Sequence, residues 1–505
     1  MDKFIINLKM GKIIRELNNY STFIFLLLIF IFNSVIGQQV KITRSDGEAD
    51  EYFGNSVAVH GDYAIVGAYF DDDNGWGSGS AYIFKKEADI WNQKQKLLPS
   101  GVDDYDFFGT SVSIYNDLAV IGSTGDNGSG SVYVFRKSGE SWNEEAVLIP
   151  SNGSSGDLFG TSVSVYNEMV AVGAAGDDIN TGSVYIFEKE GTSWEEKQYI
   201  YASDGINYDY FGSAVALDDV VLAVGVKGYL GTGGVYVYIK DGNTWENVSK
   251  IRASDNGAED QFGATVSVSQ NFIAAGARFE DEGGIDCGAA YIFVRAGNSW
   301  SELKKIIPTD GIENERFGKV AIDGNILAIG ANNDDDLGLE SGSVYIYQWN
   351  GNDWMFNQKL TANDGFAGDG FGSSLFLDGT RVIVGSPNDN DGASDAGSCY
   401  VIDLQGITDI QINGNIPTEY SLSQNYPNPF NPSTTIEFAI PNSDEVSLIV
   451  YDMLGREVAE LVNDKLSAGN YKIQYNAAEK LSSGVYIYRI RTNNYLNTKK
   501  LLLIK

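Results

Sequence analysis

Through residues 38–405, apolar positions fall in short dense runs separated by turn residues, with neither a helical nor a strictly alternating period. In the first stretch, Val57-Ala58-Val59 leads through His60-Gly61-Asp62 into Tyr63-Ala64-Ile65-Val66-Gly67-Ala68. A loop follows, then Ala81-Tyr82-Ile83-Phe84, a turn, and a segment opened by Trp91. These runs predict four β-strands, A to D, whose continuous apolar middles are expected where neighbours cover both faces of a sheet. The pattern recurs on Phe53-Gly54, Phe108-Gly109, Phe159-Gly160, Phe211-Gly212, Phe262-Gly263, Phe317-Gly318 and Phe371-Gly372. The intervals are 55, 51, 52, 51, 55 and 54 residues, and a self-similar period near 50 predicts an array of one supersecondary unit. Six tryptophans, from Trp91 to Trp354, each stand 17 residues before the next Phe of the array, where large aromatics pack one unit on another.

The seventh unit supplies strands A to C, ending near Val401-Ile402-Asp403, with no Trp-led fourth strand. Gln39-Val40-Lys41-Ile42, followed by Ser45-Asp46-Gly47, matches the strand D and D–A connection of the other units. The expected fold is therefore all-β: a seven-bladed β-propeller closed by the mature N-terminal strand, which removes the exposed sheet edges an open array would leave. These units resemble the FG-GAP repeats of integrin α-subunit propellers, on the Phe-Gly pairs and on Val66-Gly67-Ala68 and Val172-Gly173-Ala174. Integrin-type repeats carry a calcium loop between strands A and B. Here that place is a short turn such as Tyr115-Asn116-Asp117-Leu118, so calcium is not implied there.

With 58 Gly and 12% aromatic residues, composition agrees with short strands and tight turns. Charge adds a location. Of the net −33, residues 38–405 hold 22 Lys and Arg against 56 Asp and Glu, so the array repels nucleic acid and favours cations or basic partners. Cys287 and Cys399 fall in blades that are not neighbours and read as small buried thiols. Residues 1–37 resemble a secretory signal peptide, with Lys3, Lys9, Lys12 and Arg15 before the apolar run Phe23 to Phe32; an uncleaved anchor is the alternative, and the mature chain is expected to have no transmembrane span.

Alternating strands place the B–C and D–A loops on one face, and four consecutive blades of the closed ring, 5, 6, 7 and 1, carry the longer B–C loops. Their acids align: Asp71 and Asp73, Glu280 and Glu282, Asp334 and Asp336, Asp389 and Asp391, with Asp286, Glu340 and Asp395 four residues on. Such spacing offers hard oxygen ligands, so calcium is expected at Asn332, Asp334, Asp336 and Glu340 or at Asp389, Asp391 and Asp395; the alternative is solvated turns in which Asp bonds its own backbone. The loops with Asp71, Asp73, Glu280, Glu282 and Asp286 form the rest of the expected ligand face. Acids two residues before each Phe-Gly recur in every blade and read as structural. Catalysis finds little support. The only histidine, His60, lies on an A–B turn away from the long loops, and no carboxylate pair stands out, so no catalytic residue is assigned.

After residue 405 the repeat stops; 406–419 reads as a linker and 420–505 as a small Ig-like β-sandwich of alternating strands. This part is similar to the type A C-terminal sorting domain of the type IX secretion system of Bacteroidota. The resemblance rests on Tyr426-Pro427-Asn428-Pro429-Phe430, Asp452-Met453-Leu454-Gly455-Arg456, Ser483-Gly484-Val485-Tyr486 and the basic-apolar end from Lys499-Lys500. It implies the type IX machinery as partner, and a secreted or cell-surface location reached through the periplasm. The expected function is a non-catalytic binding or adhesion module for an extracellular protein or glycan; the alternatives are an extracellular carbohydrate-active enzyme and a structural envelope component.

Overall fold

The computed structural model describes residues 39–504 apart from 102, 229–231, 256, 258, 405–409, 414–419, 442–443, 467–468 and 478–480; the expected signal peptide lies outside the described residues. Blade 1 is the antiparallel sheet Ser56–His60, Tyr63–Ala68, Ser80–Glu87 and Ile90–Leu97, and the same A-B-C-D order repeats in six further four-stranded sheets. The seventh sheet takes its D strand from the N-terminus: Gln39–Ile42 pairs with Ser398–Asp403 in the register Val40↔Val401. Arg44 reinforces the closure, being buried, ion-paired with Glu51 and donating to the Ala396 carbonyl at 3.0 Å.

The repeat is legible as packing. In every blade the Phe ring meets a strand C tyrosine edge-on, from Phe53 on Tyr82 at 5.4 Å to Phe371 on Tyr400 at 5.3 Å. Its glycine is required because the preceding blade comes so close: Gly54 has φ +95°, and a Cβ there would stand 2.3 Å from the Ser398 carbonyl oxygen. Trp91 packs with Ile383 and Val401 of blade 7 as well as with its own blade, so the tryptophans join blades as expected. Strands A line the axis and are laced together by hydroxyls: the Ser56, Ser113, Ser164 and Ser267 oxygens accept backbone N–H bonds from Val112, Val165, Leu217 and Ile322 of the next blade, at 3.0–3.1 Å. Between them runs a channel of about 1470 Å³. Both cysteines are buried and free.

Residues 410–503 add two four-stranded sheets. One holds Ile410–Asn413, Gly469–Asn476, Ser433–Ile440 and Ser421–Leu422; the other Glu457–Leu466, Asp444–Tyr451, Gly484–Arg491 and Leu496–Leu503. Ile436 and Phe438 from the first share one core with Leu448, Ile490 and Leu501 from the second. Ile410–Asn413, within the span expected to be a linker, is thus a strand paired with Gly469–Asn476.

Candidate functional site

The long loops and the D–A connections share one face, as expected, and backbone bonds fix them to each other. Tyr105 donates to the Trp76 carbonyl at 2.7 Å, Asn314 to Ile285 at 2.8 Å, and Gly368 to Leu339 at 2.8 Å. Each long loop is therefore held by the connection that enters the next blade.

The acids of these loops do not converge on open space. In blade 1 the Lys96 ammonium sits 2.7 Å from Asp71, 2.5 Å from Asp73 and 3.1 Å from Asp46. Lys305 stands in the same way among Glu280, Glu282 and Asp255, Lys359 among Asp334, Asp336 and Asp310, and Lys41 among Asp389, Asp391 and Asp364. A strand C tyrosine completes each nest, as where Tyr82 donates to Asp71 at 2.8 Å. Within the loop, the first acid accepts the backbone N–H two residues on, Asp336 to Asp334 at 3.0 Å and Asp391 to Asp389 at 2.9 Å. Burial alone would lower the four lysines, but hydrogen bonds to the surrounding carboxylates outweigh it and raise them. Burial likewise works to raise Asp71 and Asp389, and the facing lysine holds both below the usual carboxylate range.

At blades 6 and 7 the carboxylates expected to take calcium stand around an ammonium of the chain itself. The carboxylates already surround an internal cation, and a divalent ion would have to expel it. The third acids do not join these ion pairs. Asp286, Glu340 and Asp395 adopt left-handed φ of 52°, 57° and 48°, and their carbonyls accept the N–H groups of Arg316, Gly370 and Tyr52. Asn332 bonds the side chain of its neighbour Asn333. The missed signal was a lysine five residues after the strand D tryptophan, as Lys96, Lys305 and Lys359; blades 2 and 3 carry Val147 and Tyr199 there. The acids two before each Phe-Gly are turn caps, Asp106 accepting from Asp103 N at 2.6 Å and Asp369 from Phe366 N at 2.7 Å.

A second feature was also missed. The residue directly before each Phe-Gly has a left-handed backbone in all seven blades: Tyr52, Phe107, Leu158, Tyr210, Gln261, Arg316 and Gly370, with φ between 54° and 65°. For bulky side chains this costs energy, and at Tyr52, Phe107 and Arg316 an N–H bond to the preceding long loop holds it in place. These residues lead on the loop face into strands A, whose next residues line the channel, and so form its rim. At blades 1 and 2 they are aromatic: Tyr52 stacks on Tyr69 at 5.7 Å, and Phe107 meets Phe70 at 5.3 Å. Outside this rim the same face exposes Trp76, Tyr105, Ile285, Leu337, Leu339 and Phe366. On the opposite face, among the A–B and C–D turns, only Ile90 and Val220 are comparably exposed among the described residues. His60 lies there at the far mouth of the channel, its ring tilted against Tyr115 at 4.6 Å and 3.1 Å from Asn116 Oδ1.

In the C-terminal part, Phe430 is buried, and its N–H donates to the Leu502 carbonyl at 3.0 Å. Leu502 N donates to Asn428 Oδ1 at 2.9 Å, so the Pro427 and Pro429 segment lies along the last strand, with Tyr426 exposed. Gly455 takes φ +78° in a turn closed by Arg456 Nε on Asp452 at 2.7 Å. The Tyr486 hydroxyl donates to the Ser482 carbonyl two residues before Gly484. Lys499 and Lys500 precede the buried Leu501 and Leu503.

A family model described as FG-GAP repeat matches residues 36–84, 91–135, 142–187, 194–238, 245–293, 300–347 and 354–402. A second, described as a secretion system C-terminal sorting domain, matches residues 424–505. No curated protein matches the chain. Among solved structures, it is similar to the β-propeller domain of the Trilobed protease from Pyrococcus furiosus, at 9% identity and TM-score 0.35, covering 77% of this chain and 95% of that one. It is also similar to a puromycin-hydrolysing peptidase from Mycobacterium tuberculosis, at 11% identity and TM-score 0.43 over 79% and 61% of the two chains. A Trypanosoma rangeli sialidase aligns at 10% identity and TM-score 0.36 over 92% and 89%.

Proposed function

We propose, for a chain that belongs to the FG-GAP repeat family and ends in a type IX secretion sorting domain, that the exported propeller is a non-catalytic binding module whose loop face holds an extracellular ligand. The sorting domain marks the chain for the cell surface or the medium, and no described helix is long and apolar enough to cross a membrane. The observation that carries the binding role is the one-sided exposure of large apolar side chains. In a chain of net charge −33, Trp76 and Phe366 are each 67% exposed and Leu339 69%, on loops that backbone bonds hold in place. Large apolar side chains exposed on one face of a rigid scaffold support recognition. Asp71, Asp73, Glu280 and Glu282, expected to face a ligand, are occupied with internal lysines, so contact falls to the loop tips and the rim. A screen of the exported protein against glycans and surface proteins tests this. Saturable binding without turnover is expected, weakened about tenfold by Trp76→Ala with Phe366→Ala; turnover of a polysaccharide would make it an enzyme instead.

A further inference from the structure

The channel mouth carries a charge opposite to that of the molecule. Of the 22 Lys and Arg in residues 38–405, all but Lys227, Arg252, Arg278, Arg295, Arg316 and Lys319 pair with a carboxylate among the described residues. Four of these six gather on one side of the rim. Lys227 and Arg278 directly follow strand B of blades 4 and 5, Arg316 is the rim residue of blade 6, and Lys319 lines the channel from strand A of that blade. The guanidinium groups of Arg278 and Arg316 lie over the same Phe279 ring, at 5.0 and 5.6 Å. Lys227 lies over Tyr210 at 4.5 Å. Burial, and after it the charge of Arg278, pushes Lys227 and Lys319 below the ordinary lysine range. Burial and Arg316 do the same to Arg278. The Nε of Arg316 is buried with no hydrogen-bond partner among the described residues.

Holding four cations together costs energy, and 56 carboxylates in the same array leave them unneutralised. An orphaned guanidinium N–H and an unpaired arginine couple are what a planar oxyanion satisfies, since the fork of N–H groups matches carboxylate and sulfate oxygens in pairs. In a ring of seven, blade 5 faces the junction of blades 1 and 2. There the rim is the aromatic group of Tyr52, Tyr69, Phe70 and Phe107, partly exposed and edged by Tyr105 and Trp76. Flat aromatic surface with polar edges on one side and paired guanidiniums on the other suit a chain of sugar rings bearing negative groups better than an acidic peptide.

We propose that the channel mouth binds an acidic polysaccharide, its sugar rings resting on the aromatics of blades 1 and 2 and its carboxylate or sulfate groups held by Arg278, Arg316, Lys319 and Lys227. This rests on the binding-module reading and names its ligand. The test is isothermal titration of the exported protein with alginate, dextran sulfate, uncharged dextran and poly-L-glutamate at two salt concentrations. The wild type is compared with Arg278→Gln/Arg316→Gln and with Trp76→Ala/Phe366→Ala. Alginate or dextran sulfate is expected to bind, more weakly at high salt, with affinity falling about tenfold or more in the arginine variant and no binding of dextran. Because the arginines have no acid partner among the described residues, their variant is expected to keep or gain thermal stability, which separates lost binding from lost fold. Equal affinity in the variant, binding of dextran, poly-L-glutamate bound as tightly, or no binding of either anionic polysaccharide would overturn the proposal. Dextran binding that depends on Trp76 and Phe366 would overturn the anionic ligand and leave the binding module standing; turnover of any of the four would overturn both.

Discussion

Glu315 shows how a residue that sequence reads as structural acquires a measurable chemistry. It is buried two positions before Phe317, and burial followed by the nearby Asp334 charge pushes it up to about 7 from an ordinary 4.5. Asp369 is pushed up to about 6 by burial and Asp389. A group raised in the folded state contributes stability that is complete below its unfolded pKa and is lost as pH rises through the folded one. Thermal midpoints are therefore expected to fall between pH 5 and pH 8, and Glu315→Gln to flatten that slope. The opposite sign holds for Asp71 and Asp389, held low by Lys96 and Lys41, whose contribution is lost only in acid. Lys359 gives a sharper test. Replacing it with Met leaves buried Asp334 with Asp310 and Asp336 around no cation, at a cost of about 3 kcal/mol. Millimolar calcium is expected to leave the wild-type midpoint unchanged and to restore part of the loss in Lys359→Met. A calcium shift of several degrees in the wild type would reinstate a metal site there.

At the scale of elements, the ring is closed by one short strand, and its removal should open it. Deleting residues 39–44 takes away the pairing of Gln39–Ile42 with Ser398–Asp403, Lys41 of the blade 7 nest and the buried Arg44. The strand of Ser398–Asp403 then becomes an exposed edge. Faster proteolysis in blade 7 and aggregation on heating are expected, read by limited digestion and light scattering. Strands, their order and this closure were legible because each rests on local spacing: Phe to Trp, Trp to Phe, and the displaced Gln39–Ile42 run. The strand Ile410–Asn413 was not, because four residues in a polar stretch acquire meaning only from their partner at Gly469–Asn476.

For the whole molecule, the two parts have separable tasks. Deleting residues 420–505 should leave a folded propeller retained in the periplasm, measured by fractionation and surface labelling; undiminished surface display would contradict the export role. The Phe-Gly repeat by itself determined seven blades, a closed ring, which loops share a face and which blades carry the longer ones. These follow from periodicity, which sequence records directly. What the acids do was decided by tertiary structure. Asp334 and Lys359 are 25 positions apart, and Lys41 meets Asp389 only after the chain has travelled the full ring. Aligned carboxylates look the same whether their cation is a metal or an ammonium, and only folding brings the ammonium between them. The same holds for the rim, where Lys227, Arg278, Arg316 and Lys319 are scattered over three blades and come within reach of each other's charge only in the folded ring.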